Sequence, residues 1–176
     1  MLNSLASALL NLLKRPLPTV CTSTPRRNLA VSSSPLVAQL QKDYPDFRFI
    51  SGRRFSFRPP KTIVIGPDEG ETTPFLIFHE LGHALSKKYR YDLSIERLKI
   101  ESLAWQEAKK AYQACLSSGK YPNLPPWDED FAEDQLDTYR DWLHAKSKCK
   151  TCGLTMYEKN SHWFCPYCST FCPPSR

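Results

Sequence analysis

Residues 75–85 read Phe-Leu-Ile-Phe-His-Glu-Leu-Gly-His-Ala-Leu, and this apolar stretch with two histidines decides the predicted fold. Its apolar residues predict a buried helix. His79 and His83 are four residues apart, so both imidazoles lie on one helix face and can reach one zinc ion. Glu80 is rotated by about 100° from His79, where its carboxylate can contact a water on the zinc without binding the zinc itself. Such a carboxylate can act as a general base that transfers the proton of the water to a leaving amine.

The alternative for His79 and His83 is a pair of hydrogen-bonded core residues without a metal. The chain has only four histidines, however, and two of them fall on one helix face with Glu80 between them in sequence. This coincidence favours a metal site.

A catalytic zinc needs a third protein ligand and an open coordination position. No histidine follows His83 for sixty residues, which favours a carboxylate. Glu101 stands among apolar residues in the next predicted helix, and a turn at residues 90–93 would aim it at the metal. Glu107 and Glu96 are rival ligands, and a surface glutamate in a salt bridge is the alternative for Glu101.

The His-Glu-Leu-Gly-His motif, followed by a glutamate in the next helix, resembles the zincin metallopeptidases and in particular the gluzincin arrangement typified by thermolysin. The small size and the Glu-x-x-Ala-Trp context resemble compact bacterial and phage zincins of the ImmA/IrrE type. The resemblance covers residues 47–117. It implies a zinc protease in which His79, His83 and Glu101 bind the catalytic zinc and Glu80 is the general base.

The residues that would support this site depart from the family pattern. Thermolysin-like enzymes have an acid four residues after the ligand glutamate, where it supports a zinc histidine, and this chain has Trp105 there. We therefore expect the support to come from Asp137 or from a backbone carbonyl. No motif identifies the group that stabilises the transition state. The candidates are Tyr112, Tyr139 and His144, of which we favour Tyr139.

Two C-x-x-C pairs in the last 28 residues predict a second metal site. They are Cys149 with Cys152 and, after a twelve-residue connector, Cys165 with Cys168. Two such knuckles form a zinc ribbon, and four thiolates leave no open coordination position, so this zinc is structural. So short a tail has too little core to fold without the metal. Disulfides are the alternative. We expect Cys172 and His162 not to be ligands.

Lysines and aromatic residues near the ribbon provide a basic and stacking surface for nucleic acid. They are Lys146, Lys148, Lys150, Lys159, Tyr157, Trp163, Phe164 and Tyr167. A solvated lysine face over aromatic packing is the alternative. The architecture is similar to that of SprT-type proteins, which combine a His-Glu-x-x-His domain with a zinc ribbon and act at DNA. This chain lacks the downstream third histidine of that family, so the likeness is one of architecture.

Composition limits the number of domains and the classes of protein. The 176 residues suffice for one domain and a small appendage, and a hydrophobic content of 41% excludes wholesale disorder. No run of about 18 apolar residues predicts a transmembrane helix. The net charge is +6, but residues 1–34 hold four basic residues and no acid, which leaves +2 for the rest. The basic composition alone therefore does not indicate a nucleic-acid-binding protein.

Residues 1–34 form a basic, acid-free N-terminal segment that is rich in Ser, Thr and Pro. Four leucines near its start lie on one helical stripe. In a eukaryotic protein this pattern is typical of a mitochondrial transit peptide. Otherwise we expect a disordered tail with a short partner-docking helix on a cytoplasmic protein, and in both cases an intracellular location. The predicted parts are therefore this segment, a zincin-like domain at 35–146 and the ribbon at 147–176.

The remaining pattern predicts an α+β fold, with a short antiparallel sheet, the active-site helix and two further helices. Phenylalanines at positions 47, 49, 55 and 57 alternate across Ser51-Gly52 and predict a β-hairpin. A third strand is predicted at 62–65. Helices are predicted at 35–42, 74–89, 95–116 and 129–145, with Thr73 as the N-cap of the second and Ser94 as the N-cap of the third.

Hydrolysis of peptide bonds by zinc-activated water is the function that these residues favour, with a peptide or protein as substrate. One alternative is a non-catalytic binding or regulatory module that uses the zincin scaffold and the ribbon to contact protein or nucleic acid. A metal-dependent hydrolase acting on a non-peptide bond is another. Glu80 favours an enzyme, since a scaffold does not need a general base beside two histidine ligands.

Overall fold

The computed structural model describes residues 34–168 and the backbone of residues 171–172. The predictions for the N-terminal segment and for the Cys172 thiol therefore lie outside the described residues. Within them the fold is α+β, as predicted, and comprises four α-helices and two three-stranded sheets.

The helices and strands follow one another in the predicted order. Helix α1 is Pro35–Asp43, and the strands β1, β2 and β3 are Arg48–Ser51, Ser56–Arg58 and Thr62–Ile65. A short 3₁₀ turn precedes helix α2 (Thr73–Ser86), which is followed by α3 (Ser94–Ser117) and α4 (Glu129–Lys146). The ribbon contains β4 (Tyr157–Lys159), β5 (His162–Phe164) and β6 (Phe171–Cys172).

The first sheet differs from the predicted hairpin. Strand β3 lies between the other two strands, parallel to β1 and antiparallel to β2, so the predicted pairing of β1 with β2 is wrong and the sheet is mixed. The residue expected in the turn, Gly52, instead donates its N–H to the carbonyl of Ile65 at 2.7 Å and packs against Val64. Because β3 is the most apolar strand and is buried along most of its length, it takes the centre of the sheet.

The connection between α2 and α3 is longer than the sequence indicates. Helix α2 ends at Ser86 because Lys87 adopts a left-handed conformation with φ of 55°, whereas the predicted helix extends to residue 89. Ser94 is the first residue of α3 and not its cap. The carboxylate of Glu96 caps this end instead, since it accepts hydrogen bonds from the N–H groups of Asp92 and Leu93 at 2.8 and 2.9 Å.

Helices α2 and α3 pack unusually closely, and Gly82 permits it. A Cβ atom at this position would collide with the backbone carbonyl of Ala104 on α3. The buried rings of Phe78 on α2 and Tyr112 on α3 also pack against each other, with centroids 4.8 Å apart. The face of α2 that carries the two histidines is thus held against the middle of α3.

Candidate metal centres

Three potential ligand atoms from α2 and α3 form a small triangle. The Nε2 atoms of His79 and His83 are 3.1 Å apart, and each lies 3.2 Å from Oε2 of Glu101. A tetrahedral zinc ion with bonds of about 2.0 Å has ligand atoms roughly 3.3 Å apart. The three side chains therefore have the spacing that one zinc ion requires.

The polar environment of Glu101 also fits an ion. Its Oε2 atom is buried and has no hydrogen-bond donor in the part of the chain that the structure describes, other than the two histidine nitrogens if they are protonated. A buried carboxylate oxygen without a positive partner is costly. A cation at the centre of the triangle would satisfy this oxygen and the lone pairs of both imidazoles.

The close packing of α2 on α3 positions the triangle. His79, Gly82 and His83 share one face of α2, because positions i, i+3 and i+4 of a helix are neighbours. Glu101 and Ala104 are likewise three residues apart on α3. Since Gly82 contacts Ala104 directly, the histidines on either side of it come within reach of Glu101.

The rival glutamates lie elsewhere. Glu96 caps α3, and the carboxylate of Glu107 accepts a hydrogen bond from Lys110 at 2.7 Å. Among these three acids, the structure brings only Glu101 to the two histidines.

The prediction that Asp137 supports one of the zinc-binding histidines is wrong. This side chain is exposed and binds Arg140 at 2.6 Å, because the two lie three residues apart on the surface of α4. No backbone carbonyl supports His79 either, since its Nδ1 is buried without a hydrogen-bond partner among the described residues. Trp105 instead stacks on the ring of His79, with centroids 4.3 Å apart, and so restricts its orientation by packing.

Glu80 lies beside the triangle and does not belong to it. Burial raises the pKa of its carboxyl group, and the nearby histidines oppose that shift. The backbone of Phe57 on β2 also lies close enough to favour the charged form. A carboxyl group whose pKa is raised towards neutrality is suited to accept and release a proton.

The pKa values of the ligand side chains reflect their mutual attraction. Burial alone would raise the pKa of Glu101, but its hydrogen bonds to His79 and His83 outweigh burial and lower it. Burial would also lower the pKa of His83, and here Glu101 again outweighs it, so that the pKa rises. The glutamate is therefore ionised and ready to bind a cation.

Of the three candidates for a transition-state stabiliser, Tyr139 lies nearest the triangle. Burial and then the charge of Glu101 raise the pKa of Tyr139, and its hydroxyl interacts with the same carboxylate. The hydroxyl of Tyr112 donates to the carbonyl of Pro125 at 2.8 Å and so has a structural partner. His144 is exposed and lines a different cavity, next to the ribbon.

Sequence reasoning missed Arg97 as a part of this site. Its guanidinium lies over the rings of Tyr139 and Trp142, at 5.4 and 5.1 Å from their centroids, and its charge acts on His83. Arg97 precedes Glu101 by four residues, so the two share a face of α3. The four-residue spacing between Arg97 and Glu101 is the feature of the sequence that could have identified Arg97.

The four cysteines of the tail form the second candidate centre. The sulfur atoms of Cys149, Cys152, Cys165 and Cys168 lie within 4.8 Å of one another, and all four are free thiols. A zinc ion with bonds of about 2.3 Å to sulfur has ligands roughly 3.8 Å apart. Backbone N–H groups of Cys152 and Thr151 lower the pKa of Cys149 to about 6, which favours the thiolate that a metal needs.

The predicted basic and aromatic surface of the ribbon is partly used inside the fold. Trp163 is buried, and Lys146 lies between the rings of Trp142 and Trp163. Tyr157 and Tyr167 are exposed. Some of the proposed stacking groups are therefore accessible, whereas Trp163 and Lys146 hold the ribbon to α4.

Comparisons with protein-family models, curated proteins and solved structures gave no match for this chain. Among the described residues, no helix combines the length and the apolar character needed to cross a membrane. The site itself is therefore the basis for assigning a function.

Proposed function

We propose that the chain is a zinc-dependent metallopeptidase that hydrolyses peptide bonds. One observation carries the proposal: the three ligand atoms of His79, His83 and Glu101 lie 3.1 to 3.2 Å apart, with Glu80 beside them and not among them. Three protein ligands leave the fourth position of a tetrahedral ion open, as catalysis requires. Bound there, zinc would polarise the scissile carbonyl and make a water molecule more acidic.

Glu80 performs the proton transfers in this mechanism. Its carboxylate takes a proton from the attacking water and delivers it to the leaving amine. The raised pKa of Glu80 supports the first step, because it makes the carboxylate a stronger base, and its protonated form then supplies the proton for the second step. The backbone of Phe57, in the edge strand β2, lies next to this carboxylate.

Tyr139 and Arg97 supply a hydrogen-bond donor and a positive charge to the site in this proposal. The tyrosine hydroxyl lies beside Glu101, where it can donate a hydrogen bond to a developing oxyanion. The guanidinium of Arg97 lies over the ring of Tyr139, keeps that side chain in place and adds positive charge close to His83.

The substrate lies against strand β2 in this proposal. Strand β2 is at the edge of its sheet and adjoins Glu80 through Phe57. An extended peptide can add to a sheet edge by backbone hydrogen bonds, which would place its scissile bond next to the metal. The ribbon has a separate role, since its four thiolates form a closed structural site.

Glu80→Gln tests the mechanism, because it keeps the shape and removes the base. The variant should bind zinc as the wild type does, while hydrolysis of a peptide library falls by a factor on the order of 10² or more. Zinc content and cleavage are measured on the same samples, and Glu107→Gln on α3 is the matched control. Unchanged cleavage by a zinc-loaded Glu80→Gln protein would exclude this mechanism. If the zinc-loaded wild type cleaves no peptide, the non-catalytic binding module becomes the better hypothesis.

A further inference from the structure

A cavity of about 530 Å³ lies at the end of the active-site helix, and its wall is basic. Lys87, Lys88, Arg90 and Lys99 contribute four cations to it, and Ile100 and Leu103 form an apolar part of the wall. All four cationic residues are exposed. We call this cavity the basic pocket.

The charges of the basic pocket are not neutralised by the fold. None of its four cations forms an ion pair with another described residue. The only acid in its wall is Glu96, whose carboxylate already accepts two backbone hydrogen bonds at the start of α3. Lys99 is close enough to lower the pKa of Glu96, but three cations remain without an acidic neighbour in the pocket wall.

The basic pocket is connected to the candidate catalytic site through Tyr89 and Phe57. In the sequence, its residues Lys87 and Ile100 lie four residues after His83 and directly before Glu101. The ring of Tyr89, in the pocket wall, packs edge-on against Phe57 with centroids 6.1 Å apart. Since the backbone of Phe57 adjoins Glu80, a peptide along β2 would pass both the reacting groups and the pocket.

We propose that the basic pocket binds the side-chain carboxylate of an aspartate or glutamate in the substrate, close to the scissile bond. The sheet on the same side of the site is also basic, since residues 47–67 hold five basic residues and no acid. Complementary charge raises both the encounter rate and the specificity for an acidic chain. A single concave pocket suits one carboxylate, whereas a nucleic-acid strand needs an extended basic groove with stacked aromatic rings.

The test measures binding to the zinc-loaded, full-length Glu80→Gln protein, which holds substrate without turnover if the proposed function is right. The probes are two fluorescent peptides, acetylated and amidated, that differ only in glutamates replaced by glutamines. We expect the glutamate peptide to bind about tenfold more tightly at low ionic strength, with the difference shrinking as salt is added. Adding Lys88→Glu and Arg90→Glu should abolish the preference. Lys42→Glu with Lys159→Glu, the same charge change outside the pocket, should preserve it.

Equal binding of the two peptides, or a preference that survives the Lys88→Glu and Arg90→Glu changes, would overturn the proposal. A third probe, the glutamine peptide with a free C-terminus, separates a terminal carboxylate from a side chain. If only this peptide binds tightly, the pocket recognises chain ends and the proposal is wrong. Single-stranded DNA is a further probe. If it binds more tightly than either peptide, and if Lys88→Glu and Arg90→Glu abolish that binding, the pocket is a nucleic-acid site and the proposal is wrong.

This inference rests on the proposed peptidase function, and hydrolysis by the wild type separates the two. If the glutamate peptide binds more tightly but the wild type cleaves neither peptide, the specificity proposed for the pocket stands and the peptidase function is rejected. If the wild type cleaves both peptides at equal rates and the two bind equally, the peptidase function stands and the specificity proposed for the pocket is rejected.

Discussion

The carboxylate of Glu158 in the ribbon accepts hydrogen bonds from both the backbone N–H and the hydroxyl of Ser94, at 2.5 and 2.9 Å. Ser94 is the first residue of α3, where N–H groups have no partner inside the helix and a negative charge is favourable. Lys146 at the end of α4 donates to the same hydroxyl at 2.9 Å. Glu158 therefore links the ribbon to the helix that carries Glu101.

Replacing Glu158 by alanine should lower the free energy of unfolding by about 1–2 kcal/mol, because the N–H of Ser94 loses its partner. Glu158→Gln should have a smaller effect, since the amide oxygen still accepts a hydrogen bond. Urea denaturation measures the stability, and hydrogen exchange measures opening of the first turn of α3. Asp134→Ala, an exposed position on α4, is the control. A Glu158→Ala variant as stable as this control would contradict the linkage.

Metal analysis should find two zinc ions per chain, because the two ligand sets share no residue. The His79→Ala variant should retain only the ribbon zinc. The Cys165→Ser variant should lose the ribbon zinc and keep the zinc at the histidine site. Finding one zinc in the wild type, lost in Cys165→Ser and kept in His79→Ala, would remove the site on α2 and α3.

Glu101→Ala should weaken zinc binding at the histidine site by more than about 100-fold, since loss even of a residue that only orients a ligand costs about 10–100-fold. Competition with a chromophoric chelator measures this affinity while the ribbon stays loaded. Glu107→Ala, on the same helix, is the matched control and should bind zinc normally. The opposite pattern would show that Glu107 is the ligand.

Gly82→Ala should destabilise the protein, although glycine-to-alanine changes in exposed helices stabilise by about 1 kcal/mol. The added methyl group would meet the carbonyl of Ala104, so α2 and α3 must separate. We expect a loss of about 1–3 kcal/mol and weaker zinc binding, because the histidines move away from Glu101. Calorimetry and zinc titration of the same variant check both effects. A stabilised variant would mean that the helices do not pack this closely.

The parts of the structure that depend on local sequence were predictable. Helix spacing alone places His79 and His83 together, and the two C-x-x-C pairs need only their own short turns. The pairing of β1 with β3 was not predictable, because it depends on which strand is buried on both faces. Trp105 shows the same limit: its contact with His79 joins two helices, and no spacing within one helix reveals it.

The position of β2 at the edge of its sheet also bears on contacts between copies of this protein. An exposed strand edge can pair with the same edge of a second molecule and start aggregation. Here the strand has only three residues, ends with Arg58 and follows Arg53 and Arg54. Two such edges would repel each other, whereas an acidic extended chain would be attracted. The charges that suit β2 to a foreign peptide would thus also keep identical copies apart.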